Sequence, residues 1–269
     1  MEDTFYYSIA SSSSGNCSLY ISQNTCILID LGVSVRRLNT ALKSLGLTIP
    51  DIHAVLLTHE HGDHIKGLAT FVKHYDIPIY ATHGTAKALI TQNPAAEKLL
   101  HSFWAGDGFT IGSIAVQPFP TPHDAADSTG YVLQSASHTF GFATDLGFVP
   151  STIRKILLGC DTVVLESNHD PDMLRYGPYP WSLKQRISGR QGHLSNPDCA
   201  AFAAELAQNG TSTIILAHLS ESNNTPVKAL RAAYAALDGL PCEVFVAPKT
   251  QMDKPVRLPV KEKLCSISV

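Results

Sequence analysis

Residues 56–67 read LLTHEHGDHIKG, a stretch that places four potential metal ligands within six positions directly after an apolar run: His59, His61, Asp63 and His64. Imidazole nitrogens and carboxylate oxygens at this density are the donors that divalent transition metals select. The helical zinc motif HExxH does not fit, because it needs a histidine four residues after His59, where Asp63 stands, and because Gly62 disfavours a helix. We therefore predict a loop after a buried strand, with the first two histidines on one side and the following Asp-His pair at a second position.

A two-metal site needs more than four ligands, so further candidates should lie elsewhere in the chain. Three polar residues each follow a predicted strand: His123 in FPTPHDAADS, Asp145 in FGFATDLGF and His218 in IILAHLSESNN. Each of them alone is equally consistent with a satisfied loop or core residue. For the histidine-rich stretch a solvated loop is also an alternative, but the density of donors disfavours it. Because all three come at strand ends, we predict that they complete one ligand shell with residues 59–64.

Five other histidines carry no such signal. His53, His74, His101 and His138 fall on predicted helix faces or strand edges, and we predict that they lie at the surface. His83 stands at a predicted helix start, where a capping role is sufficient. The metal hypothesis therefore depends on where the histidines stand and not on their total of 12.

The composition is typical of a globular protein and excludes several function classes. Of 269 residues, 44% are apolar and 16% are charged, and the net charge of −3 gives no overall basic signal for nucleic acid or membrane lipid. The acidic start MEDTFYYS lacks the apolar segment of a signal peptide, and no apolar run is long enough to span a membrane. The six cysteines, without a CxxC motif, are typical of reduced thiols, so we expect a cytoplasmic protein.

The order of predicted elements indicates an α/β protein. Three strands lead into a helix at residues 34–46, and strands then alternate with helices as far as residue 92, a pattern typical of βαβ units. Residues 109–145 have the pattern of successive antiparallel strands, and the alternation resumes over residues 161–248. Because no low-complexity linker or charge block divides the chain, we predict one domain over residues 1–269, with two mixed sheets inside flanking helices.

These motifs together resemble a known superfamily. HxHxDH followed by a separated His, Asp and His is similar to the ligand pattern of the metallo-β-lactamase superfamily, in the same order over most of the chain. The stretches SSSGNC, THEHGDHIKGL, PHDA, TDLG, ESNHDPDML, YPWSLKQRISGRQGHLSN and AHLSESNN resemble the YycJ (WalJ) subfamily, which is linked with exonuclease activity on DNA. Ribonuclease Z is similar more distantly. The resemblance implies a four-layer αβ/βα sandwich and a metal-dependent hydrolase that cleaves DNA in the 5′-to-3′ direction.

The same resemblance implies which residues hold which metal. The first ion would take His59, His61 and His123, the second would take Asp63, His64 and His218, and Asp145 would bridge both. The set contains no cysteine, so zinc and manganese are both open as the two divalent ions. A hydroxide held between the metals would attack the phosphorus, and Asp63 would also orient this nucleophile.

A proton donor for the leaving oxygen is expected at His193, in the stretch GRQGHLSN. Ribonuclease Z carries a similar Gly-His-Ser before its last ligand histidine, so the resemblance implies the donor role. A residue that leads into a helix capped at Ser195 and Asn196 is the alternative. Glu166 resembles the carboxylate that partners this histidine, and His169 lies in the matching stretch ESNHDPDM. Both are candidate substrate-binding residues, or else groups that orient the ligands from behind.

Residues 173–197 are predicted to contact nucleic acid. They contain Arg175, Lys184, Arg186 and Arg190, with aromatic residues between them and no acidic residue. Basic groups can follow phosphates and aromatic rings can stack on bases, and Arg186 is the candidate substrate-binding residue among them. An ordinary amphipathic loop and helix is the alternative.

The stretch SSSSGNC, residues 11–17, joins the first two predicted strands. Gly15 and Asn16 tolerate a positive φ, which favours a tight turn. In the resembled superfamily this loop lies near the metal site. Ser13, Ser14 and Asn16 are therefore predicted to grip a substrate phosphate with backbone and side-chain donors. A purely structural hairpin turn is the alternative.

Two other function classes share these features. Small-molecule hydrolases of the superfamily, such as a cyclic phosphodiesterase, a glyoxalase II-like thioesterase or a lactonase, use the same ligands. A metal-stabilised binding protein without turnover is disfavoured by the completeness of the ligand set. The chain shows no long Gly/Pro-rich insertion like the tRNA-gripping arm of ribonuclease Z, and residues 145–218 leave no room for the extra domain of RNA-cleaving members. DNA is therefore the expected substrate, with no membrane partner.

Overall fold

Two mixed β-sheets form the centre of the protein, in a computed structural model that describes residues 4–258. From edge to edge, the first sheet contains β14 (Val256–Leu258), β1 (Thr4–Ala10), β2 (Cys17–Ser22), β3 (Thr25–Ile29), β4 (Ala54–Leu56), β5 (Ile79–Thr82) and β6 (Leu100–Phe103). The second contains β13 (Glu243–Val246), β12 (Thr213–Ala217), β11 (Thr162–Glu166), β10 (Thr139–Ala143), β9 (Thr129–Gln134), β8 (Ile114–Pro120) and β7 (Phe109–Ile111).

Each sheet is antiparallel in one half and parallel in the other. The strands from β14 to β3 pair antiparallel and those from β3 to β6 parallel. In the second sheet, β7 to β10 are antiparallel and β10 to β13 are parallel. The parallel strands β11 and β12, TVVLE and TIILA, are buried along their whole length, as the continuous apolar runs of strands covered on both faces predict.

Nine α-helices are assigned within residues 4–258: α1 (Val35–Ser44), α2 (Gly62–Ile65), α3 (Leu68–Phe71), α4 (His83–Gln92), α5 (Ser151–Leu157), α6 (Pro171–Tyr176), α7 (Trp181–Ile187), α8 (Asn196–Gln208) and α9 (Pro226–Ala236). The longer ones begin at hydroxyl caps. The side chains of Ser34, Ser195 and Thr225 accept a hydrogen bond from the backbone two or three residues further on, which satisfies a free N–H of the first turn.

The two sheets pack face to face, and the helices cover their outer faces. Tyr6 and Tyr20 of the first sheet contact Phe140 of the second, with ring centroids 5.6 and 4.9 Å apart. Leu42 of α1 is buried in the core that includes the first sheet, and Phe202 of α8 in the core behind the second. The order helix, sheet, sheet, helix confirms the predicted α/β class and four-layer sandwich.

Some elements differ from the prediction. The strands β6 and β14 and the helices α5 and α6 were not predicted, because segments of three to seven residues carry little periodic signal. The apolar spacing also predicts one helix over residues 65–75, but α2 ends at Ile65 and α3 covers only Leu68–Phe71. Gly67 lies between the two helices, and its N–H donates to the carbonyl of Leu31 at 2.9 Å and not to the preceding helical turn.

The surface prediction holds for three of the histidines and fails for the fourth. The exposed ones are His53, His74 and His101. His138 is only 2% exposed, because it lies in the turn between β9 and β10 with its Nδ1 atom 3.9 Å from Asp161. His83 begins α4, but the cap is Thr82, whose hydroxyl accepts from the backbone N–H of Thr85.

Among the residues that the structure describes, no helix combines the length and the apolar character needed to cross a bilayer. The cysteines in this range are all free thiols, as the sequence predicts: Cys17, Cys26, Cys160, Cys199 and Cys242. Burial raises the pKa of Cys199 to about 12, so this thiol stays protonated and inert at neutral pH. Cys265 lies outside the described residues.

Candidate active site

The candidate site lies where parallel strands of both sheets end. Polar residues follow or end these strands: Asp30 after β3, the HxHxDH stretch after β4, Asp145 after β10, Glu166 at the end of β11 and His218 after β12. The carboxyl ends of parallel strands share one edge of a sheet, so these side chains meet there. All seven predicted ligands come together in clusters whose donor atoms lie within 4.8 Å of one another: His59–His61–His123, Asp63–His64–His218 and His59–His64–Asp145.

The first cluster consists of three imidazoles. The Nε2 atom of His123 lies 3.3 Å from Nδ1 of His61. The ring centroid of His59 lies 4.5 Å from that of His61 and 4.9 Å from that of His123. His123 is held by its own Nδ1 atom, 3.1 Å from the carbonyl of Gly192. Burial lowers the pKa of His59 well below its usual value, and the positive neighbour His64 adds to this, so His59 is neutral and able to act as a ligand.

The second cluster stands on the short helix α2, and here the loop prediction is wrong. His61 caps this helix, so Asp63 and His64 lie on one helical turn, where Gly62 occupies the first position. The Oδ2 atom of Asp63 lies 3.4 Å from Nε2 of His64 and 3.5 Å from Nε2 of His218. Burial raises the pKa of Asp63, but the hydrogen bonds from these two histidines lower it more, so the carboxylate stays ionised.

Asp145 lies between the two clusters. Its Oδ2 atom is 3.5 Å from Nε2 of His64, and its Oδ1 atom is 3.7 Å from Nε2 of His123 and 3.6 Å from Nε2 of His218. Asp145 and His218 both have a positive φ, 58° and 55°, although neither is glycine. Such backbone strain persists where the surrounding structure requires it and is common at functional sites.

The side chains fit divalent metal ions. The Nε2 atom of His59 and the Oδ2 atom of Asp145 are buried and have no hydrogen-bond partner among residues 4–258. An unpaired buried polar atom costs roughly 1–3 kcal/mol, so two of them within one cluster indicate a partner that the protein itself does not supply. Imidazole and carboxylate donors without thiolate suit zinc or manganese.

Asp30 supports the second cluster, and the sequence analysis did not identify it. Its Oδ2 atom lies 2.8 Å from Nδ1 of His64, and its Oδ1 atom accepts from the backbone N–H of Thr58 at 2.8 Å. The bond between Asp30 and Nδ1 of His64 directs Nε2 of this ring towards the cluster. Metal-binding histidines are usually oriented by such a partner. Burial lowers the pKa of His64, but Asp30 and Asp145 raise it to about 10. The only signal in the sequence was an acidic residue directly after an apolar strand.

Glu166 connects several parts of the site from behind. Its Oε1 atom lies 2.8 Å from Nδ1 of His193 and 2.9 Å from Nδ1 of His218, and its Oε2 atom accepts from the N–H groups of Leu146 and Leu194. Burial raises the pKa of Glu166, but the adjacent His193 and these bonds lower it to about 2. Glu166 has no exposed surface, and its bonds to His193 and His218 favour the alternative role of orienting these histidines, while contact with substrate stays a prediction.

The structure places His193 at the open side of these clusters. Its ring stacks 5.2 Å from that of His218 and lies 5.1 Å from that of His123, and its side chain is 18% exposed. With Nδ1 held by Glu166, Nε2 is the nitrogen left to exchange a proton with a bound molecule. The helix α8 does begin at a Ser195 cap, two residues later, so the two roles proposed for this stretch are compatible.

His169 does not face the open side. It is 4% exposed, its carbonyl accepts from the N–H of Asn196 at 2.8 Å, and it forms an isolated bridge with Ser195. Burial lowers the pKa of His169, so the ring is neutral at physiological pH. The burial and backbone bonds of His169 favour the alternative role, in which it fixes the segment that carries His193, and its direct contact with substrate stays a prediction.

The serine loop, residues 11–16, packs against the second cluster. The side-chain amide of Asn16 donates to Oδ2 of Asp63 at 3.2 Å and lies 3.1 Å from Nε2 of His64. Asn16 is 7% exposed, whereas Ser13 and Ser14 are exposed, and the Ser14 hydroxyl donates to Oε1 of Glu221 at 2.6 Å. Asn16 thus contacts predicted ligands, and only the serines remain open to a substrate.

The turn geometry also differs from the prediction, because neither Gly15 nor Asn16 has a positive φ. Close approach of the backbone is the reason for glycine here. A Cβ atom on Gly15 would lie 2.8 Å from the carbonyl oxygen of Gly32, and one on Gly32 would lie 1.6 Å from that of Asp63. The serine loop is therefore held against the segment after β3 and against α2 by direct backbone contact.

Asn16→Ala is expected to weaken metal retention and lower turnover by about 10- to 100-fold, because the amide holds two predicted ligands in place. Metal content after dialysis and steady-state hydrolysis would measure the effect. Asn24→Ala, which alters an exposed asparagine in the turn between β2 and β3, is the matched control. Wild-type metal content and kinetics in Asn16→Ala would show that the loop is only a structural turn.

The basic segment 173–197 uses much of its charge internally. Arg186 pairs through two nitrogens with Asp124, at 2.5 and 3.1 Å, and Lys184 donates to two backbone carbonyls. The guanidinium of Arg190 lies 3.9 Å above the ring of Phe148. The guanidinium of Arg186, which is predicted to bind substrate, is thus already engaged in an ion pair with Asp124. Trp181 of α7, by contrast, is 70% exposed.

Comparison with known proteins agrees with this geometry. Residues 25–219 match the family model described as Beta-lactamase superfamily domain. Exodeoxyribonuclease YycJ of Bacillus anthracis is 39% identical over 219 residues, covering 80% of this chain and 82% of that protein. Exodeoxyribonuclease WalJ of Streptococcus pneumoniae is 35% identical over 226 residues, covering 82% and 83%.

Among solved structures, the metallo-β-lactamase fold protein YhfI of Bacillus subtilis superposes with a TM-score of 0.72 over 95% of this chain and 99% of that one. At 16% identity, this likeness concerns the fold alone. The sequence matches show the family as well as the fold, because they extend over most of both chains. The chain therefore belongs to the metallo-β-lactamase superfamily, within the family of the YycJ and WalJ exodeoxyribonucleases, and is a metal-dependent hydrolase.

Proposed function

We propose that this protein is a dinuclear metal-dependent phosphodiesterase that removes nucleotides from a DNA end, in the 5′-to-3′ direction. The observation that carries the proposal is the joint position of the two ligand clusters and of His193, which the buried carboxylate of Glu166 joins to His218 of the second cluster. The exodeoxyribonuclease names of the relatives support DNA as the substrate. The proposal treats the chain as one domain that acts in the reducing environment of the cytoplasm, consistent with its free thiols.

The two clusters would each hold a divalent ion, with Asp145 within reach of both clusters, and these ions would supply the Lewis acidity that lowers the pKa of a water and offsets negative charge on the phosphate. Zinc and manganese both suit the donors. The protein's own part is to fix these donors. Asp63 both binds and orients, because its ionised carboxylate faces His64 and His218 and can accept a hydrogen bond from the attacking water.

His193 is proposed as the general acid. Cleavage of a phosphodiester leaves an alkoxide of the sugar, which needs a proton, and a positioned imidazole typically contributes about 10²–10⁴-fold. Glu166 fixes Nδ1 of His193 and so orients the ring, while the partial exposure of the ring admits a leaving oxygen. The pair works as an orienting carboxylate and a proton-carrying histidine.

His193→Ala is expected to reduce kcat on DNA by about 10²–10⁴-fold while leaving hydrolysis of bis(4-nitrophenyl) phosphate close to wild type. The nitrophenolate leaves without a proton, so only the DNA reaction needs the acid. Release of end-labelled nucleotides and of nitrophenolate would be measured with the same metal-loaded sample. His74→Ala, an exposed histidine remote from the clusters, is the control. Equal activity of His193→Ala and wild type on DNA would refute the acid role.

The substrate class has its own test. Metal-loaded protein would be incubated with end-labelled single- and double-stranded DNA, with RNA, and with a small thioester. Progressive loss of mononucleotides from DNA is the expected result. Hydrolysis of the thioester without action on DNA would instead support the small-molecule hydrolase, which uses the same ligands.

A further inference from the structure

A cleft of about 680 Å³ opens beside the metal-ligand clusters and is not used by the chemistry described above. It lies between the serine loop, the α2–α3 segment and the last turn of α4, and of the predicted ligands only Asp63 lines it. Its volume falls within the ~300–1,000 Å³ of typical small-molecule sites. The cleft therefore has the size and position to hold a group attached to the reacting phosphate.

The lining of the cleft is apolar along its sides and polar at the end formed by the last turn of α4. Ile65, Leu68 and Leu89 supply apolar side chains along the walls, and Gln92 and Asn93 supply amides where α4 ends. The Nδ2 atom of Asn93 is buried and has no hydrogen-bond partner within the described protein. Buried amide donors are almost always paired, so this atom indicates an acceptor brought in by a ligand.

Charge is scarce in the cleft. Asp63 lies at the end next to the clusters, and Lys66, which is exposed, is the one cationic side chain of the described lining. A single cation beside apolar walls suits a ligand with one or two phosphates and an uncharged body. A peptide-like thioester with several carboxylates would meet no further positive charge here.

We propose that this cleft binds the sugar and base of the nucleotide next to the scissile phosphate, with the base between the aliphatic walls and the amides of Gln92 and Asn93 at its edge. Lys66 contacts the neighbouring phosphate. The inference rests on the proposed function, because it assigns the nucleoside position of the same site. Amides both donate and accept, so they serve any of the bases, as an exonuclease without sequence preference requires.

A bulky side chain in the cleft tests the proposal. Ala69 and Thr70 are neighbouring exposed residues of α3, but only Ala69 lines the cleft, so Ala69→Trp and Thr70→Trp form a matched pair on one helix. For Ala69→Trp, the ratio of kcat/KM on DNA to kcat/KM on methyl 4-nitrophenyl phosphate, which has no nucleoside, should fall at least ~10-fold. Thr70→Trp should keep the wild-type ratio. An unchanged ratio in Ala69→Trp would overturn the proposal.

A binding measurement separates the cleft from the activity. In metal-loaded wild-type protein, a deoxynucleoside 5′-monophosphate should inhibit hydrolysis of the small diester roughly 10-fold better than deoxyribose 5-phosphate. This difference should disappear in Ala69→Trp and shrink about 2- to 10-fold in Asn93→Ala, as loss of one hydrogen bond predicts. Asn93→Ala should not lower the Tm, because the Nδ2 atom of Asn93 has no hydrogen-bond partner among the residues that the structure describes. Equal inhibition by the two phosphates in the wild type would refute the nucleoside site.

The two hypotheses can fail independently. If the protein does not cleave DNA but the base still strengthens inhibition in a cleft-dependent way, the nucleoside site stands and the DNA exonuclease proposal fails. If DNA is cleaved and Ala69→Trp has the wild-type ratio, the exonuclease proposal stands and the nucleoside site fails.

Discussion

Removal of divalent metal with a chelator is expected to abolish hydrolysis and to lower the Tm of the protein. Metal ions contribute several kcal/mol to stabilising a phosphoryl transition state, so the rate should fall by at least ~10³-fold. The fold also loses a ligand that binds only the native state, worth about 4 kcal/mol when free metal is at 1,000 times its Kd. Inside the site, Asp145 keeps its strained backbone and a buried Oδ2 atom that lacks a hydrogen-bond partner in the described part of the chain.

The measurement combines metal analysis, thermal unfolding and hydrolysis of the small diester, before and after chelation and after separate addition of zinc and manganese. The ion that restores both Tm and activity identifies the metal that the site prefers. His123→Ala should lose metal and activity, whereas His74→Ala should retain both. Full activity in protein shown to be free of metal would contradict the metal-dependent mechanism itself.

Gly32→Ala is the substitution expected to damage the fold most. The new Cβ atom would lie 1.6 Å from the carbonyl oxygen of Asp63 and 2.6 Å from the backbone nitrogen of Asn16. At this point three backbone segments are joined by short hydrogen bonds, from Gly32 N–H to the Asn16 carbonyl and from Asn16 N–H to the Asp63 carbonyl. The clash must separate them, at a cost of about 3 kcal/mol or more.

Displacement of Asp63 by about 1 Å would in addition lower turnover roughly 100-fold in whatever fraction folds. Gly62→Ala is the matched control: Gly62 also adjoins Asp63, but a Cβ there has no atom within 4 Å. As an alanine in a helical turn, it should be neutral or stabilise by up to about 1 kcal/mol. Urea unfolding and metal content would compare the two variants. Wild-type values for Gly32→Ala would show that the three segments can part without loss.

The ligand residues were predictable because chemistry and position coincide in the sequence. His59, His61 and Asp63 follow an apolar strand within a few positions, and His123 and His218 also come after strands. A side chain that can bind metal and that follows the carboxyl end of a buried strand lies at the common edge of the sheets. The structure brings these residues together, and their binding of metal stays a prediction until it is measured.

Other features could not be predicted, because they depend on contacts between distant segments. Asp30 and Glu166 act through hydrogen bonds to histidines 34 and 27 or 52 positions away. The burial of His138 depends on how the turn between β9 and β10 packs. Short elements such as α6 carry too little periodicity to be recognised and are stabilised by what they pack against.

By itself, the sequence determined the α/β class, the two mixed sheets and the set of candidate ligands, because period, strand ends and donor chemistry are local properties. Only the tertiary structure decided that the buried Asn16 contacts two of the predicted metal ligands, and that Glu166 bonds to two histidines at once. It also showed the cleft beside Asp63. These features depend on distances between segments far apart in the chain, which are fixed only when the two sheets pack against each other.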